Sequence, residues 1–168
     1  DSKDQSNPAI WQDRIVWHDN RNGDYDIYLY DIAAAREQRI TNDSHNQVTP
    51  AIWGDRIVWQ DGRNGKYDIY LYDLTTSTES AISTNPAYQA RPAIDGDTVV
   101  WDDYRNWNET PDIYRYDVVS NTEQRVTTDP AHQWYAAISD DHIVWLDNRN
   151  GNFDIYAYDL QSGTEQAI

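Results

Sequence analysis

A carboxylate, an asparagine and a second carboxylate recur at fixed spacing along this 168-residue chain. The sets are Asp19, Asn22 and Asp26; Asp61, Asn64 and Asp68; and Asp147, Asn150 and Asp154, with Asp103, Asn106 and Asp112 as a stretched fourth version. Two carboxylates and an amide so close together offer hard oxygen ligands, so calcium binding is one chemistry open to them. Against it, an arginine lies inside every set, at Arg21, Arg63, Arg105 and Arg149, and the spacing misses the EF-hand pattern. The competing chemistry is a hairpin lock. In that reading Asp accepts hydrogen bonds from turn amides, and Arg bridges carboxylates within or between structural units. The lock is the preferred reading: no metal is assigned, and calcium at the nine positions of the three regular sets is the alternative.

Residues that break the pattern are where a specific site could lie. In the third copy the turn reads Arg105-Asn106-Trp107-Asn108-Glu109-Thr110-Pro111-Asp112, two residues longer than its counterparts and without glycine. Trp107 at such a tip could stack on a sugar ring or anchor a partner protein. Arg91, Trp134 and Tyr135 fall in a variable stretch just before repeated strands, and together would form a cationic-aromatic pocket for a carboxylate or a carbohydrate. Arg115 replaces Leu29, Leu71 and Ala157 of the other copies and is expected to pair with Asp102 or mark a partly wet sheet interface. The histidines show no metal-ligand spacing. No nucleophile elbow, P-loop or dinucleotide fingerprint is present, so no catalytic residue and no cofactor is assigned.

The elements that must position these residues are repeated four times. Ile15-Val16-Trp17 returns as Ile57-Val58-Trp59, Val99-Val100-Trp101 and Ile143-Val144-Trp145, with Trp-to-Trp spacings of 42, 42 and 44 residues. A fixed period of this size marks stacked or radially arranged supersecondary units. In the second copy Thr49–Ile52, Arg56–Gln60, Asp68–Asp73 and Glu79–Ile82 read as four strands, with reversals at Gly54, at Asn64-Gly65 and at the Thr75–Thr78 run. In the third strand Ile69 and Leu71 face one way and Tyr70 and Tyr72 the other, so neither face is polar and the sheet is expected to be covered on both sides.

The order Ile-Val-Trp, Asp-x-Arg-Asn-Gly, Asp-Ile-Tyr-x-Tyr-Asp-Leu, Glu-x-x-Ile-Thr resembles the TolB-type (WD40-like, PD40) β-propeller repeat over essentially the whole chain. The resemblance implies an all-β propeller of four-stranded antiparallel blades, over residues 5–42, 47–84, 89–128 and 133–168 of a single unit, 1–168. It also implies a place outside the cytoplasm, periplasmic, secreted or at the cell surface. In a propeller the first strand is innermost, which would put Arg91, Trp134 and Tyr135 near a channel mouth. Four copies leave three arrangements open: a closed four-bladed ring, half of a ring completed by a second chain, or a segment of a longer one. If the ring is open, the aromatic faces of the first and last blades are exposed and mark an association surface.

The composition narrows the partners. Eight Trp and 13 Tyr against one Phe suit half-wet packing surfaces. A net charge of −16 repels phosphate backbones and anionic lipid, which argues against nucleic acid and membrane surfaces. Cysteine is absent and no run is long and apolar enough to span a bilayer. The expected function is a non-catalytic propeller scaffold that binds a protein partner or associates with itself through its terminal blades. The alternatives are a carbohydrate-binding propeller and the propeller domain of a polysaccharide lyase or peptidase.

Overall fold

The computed structural model describes residues 3–107 and 110–168, with the Trp107 side chain outside that set. Among the described residues the chain is all β, in four four-stranded antiparallel sheets whose strands lie in sequence order. The first holds β1 (Gln5–Trp11), β2 (Arg14–Asp19), β3 (Asp26–Asp31) and β4 (Arg36–Arg39). The second holds β5 (Gln47–Trp53), β6 (Arg56–Asp61), β7 (Asp68–Asp73) and β8 (Thr78–Ser83). The third holds β9 (Gln89–Asp95), β10 (Thr98–Trp107), β11 (Thr110–Asp117) and β12 (Thr122–Arg125). The fourth holds β13 (Gln133–Ser139), β14 (His142–Asp147), β15 (Asp154–Asp159) and β16 (Thr164–Ala167).

The strand order follows from the turns. Short reversals can join only antiparallel neighbours, so each sheet is a meander. The alanine run Ala33-Ala34-Ala35 is the β3–β4 turn rather than a helix. Each Asn-Gly pair works differently from an ideal two-residue hairpin. Only the glycine takes positive φ, at Gly23 (119°), Gly65 (93°) and Gly151 (90°), which leaves the asparagine side chain to bond inward. In the third sheet the stretched turn extends the hairpin itself, and Trp107 pairs through its backbone with Thr110.

The chain divides into two compact units, Asp1–Thr84 and Asn85–Ile168, each of two sheets. In the first unit β5 lies against β1, β2 and β3. Val16, Ile27 and Leu29 of the first sheet pack there against Ile52, Ile57, Trp59 and Tyr70 of the second. The second unit repeats this with β13 against β9, β10 and β11, and Val100 and Ile113 against Ala136, Ile143, Trp145 and Tyr156. Within the units Val16 and Val100 thus face the following sheet, while Ile57 and Trp59, and Ile143 and Trp145, face the preceding one. Burial of each large side chain contributes about 1.5–3 kcal/mol, enough for these faces to dominate stability.

A single strand therefore carries residues of very different weight. Trp145 is 1% exposed and its neighbour Val144 is 37% exposed. Trp145→Ala is expected to cost about 3–5 kcal/mol in urea unfolding, against about 0.5 kcal/mol for Val144→Ala.

Candidate functional site

The recurring Asp, Arg and Asn build one constellation four times. Asp19, Asp61, Asp103 and Asp147 end the second strand of each sheet and are fully buried. In the second sheet Asp61 accepts from the Trp59 indole N–H at 2.9 Å, from the Arg63 backbone N–H at 3.0 Å, and from the Arg63 guanidinium at 2.8 and 2.6 Å. The other arm of that guanidinium reaches Glu79 on β8 at 2.6 Å, so one arginine ties the turn to the outermost strand. Its plane lies over the Tyr70 ring, 4.2 Å from the centroid, and Tyr70 stacks in turn on Trp59. The set repeats as Trp17, Asp19, Arg21, Tyr28 and Glu37; as Trp101, Asp103, Arg105, Tyr114 and Glu123; and as Trp145, Asp147, Arg149, Tyr156 and Glu165.

The electrostatics follow from this geometry. Burial by itself pushes the Asp19 and Asp147 carboxyls up, but the hydrogen bonds from Arg21 and Arg149 outweigh it and hold both below the usual carboxylate range. Asn64 turns its amide nitrogen to Asp68 at 2.6 Å and to the Tyr70 hydroxyl at 3.3 Å. Asn22, Asn106 and Asn150 do the same in their sheets. Asp26 and Asp112 are further engaged by Arg39 and Arg125, whereas Ala81 stands in that place in the second sheet and burial raises the Asp68 carboxyl.

In these sets contacts within the blade compete with calcium for the same groups. The first carboxylate of each is held by arginine and the asparagine presents a nitrogen, which cannot ligate a hard cation. Among the described residues no three His, Asp or Glu side chains gather as a metal site.

The residues that differ between copies meet at a second place, where one sheet joins the next. The residue after each repeated Trp is His18, Gln60, Asp102 or Leu146, and within the units the side chains of His18 and Asp102 reach the first strand of the following sheet. Asp102 is fully buried and accepts from the Tyr135 backbone N–H at 3.1 Å, while His18 Nδ1 accepts from the Thr49 N–H at 3.2 Å. Thr49 and Tyr135 both have positive φ, 55° and 58°, as do Asn7 (50°) and Arg91 (53°) at the same bulge. Side chains rarely adopt that backbone, and at Thr49 and Tyr135 the amide it presents is captured by the sheet before. Burial lowers the His18 pKa despite Asp19 beside it, which keeps the ring neutral and Nδ1 able to accept.

Arg91 and Tyr135 come together as their types suggested. The guanidinium lies 4.5 Å from the centroid of the Tyr135 ring, which is 59% exposed. Arg91 also donates to Asp102 at 2.5 Å and to the Tyr104 hydroxyl at 3.2 Å, so its charge is already matched within the fold. Trp134 does not join them. It packs on His132 and Phe153, ring centroids 5.0 and 5.2 Å away, and Phe153 is 55% exposed. Arg115 does not reach Asp102 either: it donates to the Gln124 side chain at 3.1 and 2.5 Å across the β11–β12 pair. The Trp107 side chain, with Asn108 and Glu109, lies outside the described residues. Sequence reasoning missed the role of the position after each Trp. Its signal is visible in retrospect as the one variable, mostly polar residue inside an otherwise repeated strand.

No protein-family profile and no curated protein matches the chain. Solved structures do. TolB from Acinetobacter baumannii is similar with a TM-score of 0.78 and 21% identity, over 98% of this chain and 43% of that one. A putative TolB from Agrobacterium tumefaciens gives 0.75 and 17%, over 92% and 60%. A puromycin-hydrolyzing peptidase from Mycobacterium tuberculosis gives 0.76 and 11%, over 98% and 28%. The fold is therefore that of a TolB-like β-propeller, and the sheets are its blades. The chain spans less than two thirds of each of these proteins.

Two measurements follow from the site. The Asp102 carboxyl is pushed up by burial to about 6, against an ordinary 3.8, with Arg91 opposing the shift. Its contribution to stability is therefore present below the ordinary value and lost as the pH rises through about 6. Relative to Asp102→Asn, which does not titrate, the wild type should lose stability between about pH 4 and pH 7 in urea titrations at each pH. Adding a chelator should leave the melting temperature unchanged, and a fall would reinstate calcium at the Asp-Asn-Asp sets.

Proposed function

We propose that this chain is a non-catalytic propeller scaffold that binds protein through blade faces its own fold leaves open. The observation that carries the reading is that every repeated polar group able to do chemistry is held by a partner inside its own blade. Asp19, Asp61, Asp103 and Asp147 each lie against an arginine that is shared with a second carboxylate. A general acid or nucleophile needs a titratable group able to meet a substrate. These carboxylates are buried and charge-matched, which suits a rigid display frame.

Several large apolar side chains are left exposed. In the fourth blade Val144 is 37% and Ile155 44% exposed, and in the first blade Ile10 is 64% exposed. Their counterparts Val16, Ile27, Val100 and Ile113 are completely buried, and Ile52 is 6% exposed. Apolar side chains at positions that pack against another sheet elsewhere in the chain mark an association surface. The TolB and peptidase likenesses are compatible with a propeller used as a module beside other domains, and the repeat type agrees with a place outside the cytoplasm.

Glycan binding is a second reading, supported by the exposed Phe153 and Tyr135 rings on the fourth blade. A glycan array that stays blank for the wild type would remove it.

The association reading is tested with a photo-crosslinking side chain at Ile155 and, as an equally apolar control, at Val119 in the β11–β12 turn, which is 69% exposed. Adducts to protein at Ile155 and none at Val119 are expected. Equal labelling at the two positions, or none at Ile155, would overturn the reading.

A further inference from the structure

Three Asn-Gly pairs stand in the β2–β3, β6–β7 and β14–β15 turns, and both residues of each pair are exposed. Such a pair is prone to lose the asparagine amide spontaneously, because glycine has no side chain to keep its backbone nitrogen from the amide carbon. Nothing lies within 4 Å of where a Cβ would stand on Gly23, Gly65 or Gly151, so water reaches each nitrogen. Water is also the only co-reactant needed. The glycine nitrogen gives its proton to solvent and bonds to the asparagine Cγ, and the amide nitrogen leaves as ammonia. Water then opens the five-membered imide at one of its two carbonyls. The product is aspartate, or isoaspartate with one extra methylene in the main chain.

The folded turn holds both reacting groups. The nitrogen that must attack is tied through its proton: Gly23 N–H donates to Asn20 O at 3.0 Å, Gly65 to Gly62 O at 3.0 Å and Gly151 to Asn148 O at 2.9 Å. The nitrogen that must leave is tied as well. Asn22 donates to the Tyr28 hydroxyl at 2.6 Å and Asn64 to Asp68 at 2.6 Å, while Asn150 donates to Asp154 at 3.1 Å and to the Tyr156 hydroxyl at 3.2 Å. In the third blade Asn106 makes the same two bonds and is followed by Trp107. The asparagine thus serves the blade without a glycine after it, and the glycine adds the reactive nitrogen at three turns only.

We propose that Asn22, Asn64 and Asn150 are latent modification sites: imide formation is shut off while the turn bonds hold and proceeds when a turn opens. Each conversion then marks its turn permanently, because the new carboxylate replaces a hydrogen-bond donor and faces a second carboxylate. The damage differs between blades. In the first, Arg39 already lies 2.8 Å from Asp26 and can share the added charge. In the second and fourth, Ala81 and Ala167 pair with Tyr70 and Tyr156 where Arg39 pairs with Tyr28, so no arginine takes the charge up. Asp68 is already the carboxyl that burial raises, which makes a like-charged neighbour costliest there.

Peptide mapping by mass spectrometry reads all three amides in one sample, during incubation of the purified chain at mildly alkaline pH with and without urea. In the folded chain each should convert roughly tenfold or more slowly than in the unfolded one, because reaction waits on local opening. Tyr28→Phe removes the 2.6 Å acceptor of the Asn22 amide and keeps the ring that stacks on Trp17. Conversion at Asn22 should then rise several-fold relative to Asn64, a control in the same compact unit. Equal rates with and without urea would overturn the proposal. So would a Tyr28→Phe chain in which Asn22 and Asn64 keep their wild-type proportion, whether both are slow or both are fast. Asn64→Asp should lower the urea midpoint further than Asn22→Asp, and equal losses would remove the difference between blades.

Discussion

A sheet that is apolar on both faces cannot stand alone in water. Everything else in this protein follows from satisfying that condition with sheets of the same kind. Val16, Ile27 and Leu29 leave solvent only because Ile57 and Trp59 lie opposite them, and Val100 and Ile113 because Ile143 and Trp145 do. At about 25 cal/mol per Å² of apolar surface removed from water, such stacked faces outweigh any single polar contact in the fold. The rule also defines its own exceptions, since a face without a following sheet is left as exposed hydrocarbon.

The polar residues serve this packing. Bringing the blade ends together buries the carboxylate that closes each second strand, and an unpaired buried charge would cost several kcal/mol. The arginine two residues on removes that cost, and its flat guanidinium fits between the carboxylate, a glutamate on the edge strand and a tyrosine ring. Lysine has neither the fork nor the flat face to do all three, and lysine occurs in the whole chain only at Lys3 and Lys66. The junctions between blades are solved differently each time. A neutral histidine caps one bulge and a buried aspartate another, with opposite responses to acid: charging His18 breaks its cap, whereas protonating Asp102 relieves its burial.

The repeated residues are bound into the blades, whereas residue type alone does not say which of the variable ones meet. Arg91 and Tyr135 do meet, and Trp134 is drawn away by His132 and Phe153 because successive residues of a strand face opposite ways. Arg115 stays within its own hairpin with Gln124, a partner one strand away that spacing along the chain does not reveal. Asp102 looks ordinary among 29 acidic residues in the sequence, yet it is fully buried and bonded to both Arg91 and the Tyr135 amide.

The period, the strand order within each blade and the alternation of residues between the two faces of a strand were all determined by sequence, because strand alternation and turn chemistry act over a few residues. The direction of each guanidinium, the meeting of Arg91 with Asp102 and Tyr135, and the contrast between a buried Ile113 and an exposed Ile155 were decided only in three dimensions. Those properties depend on what lies across a gap between strands far apart in the chain. Two isoleucines set in the same local phrase differ solely in whether another sheet arrives to cover them.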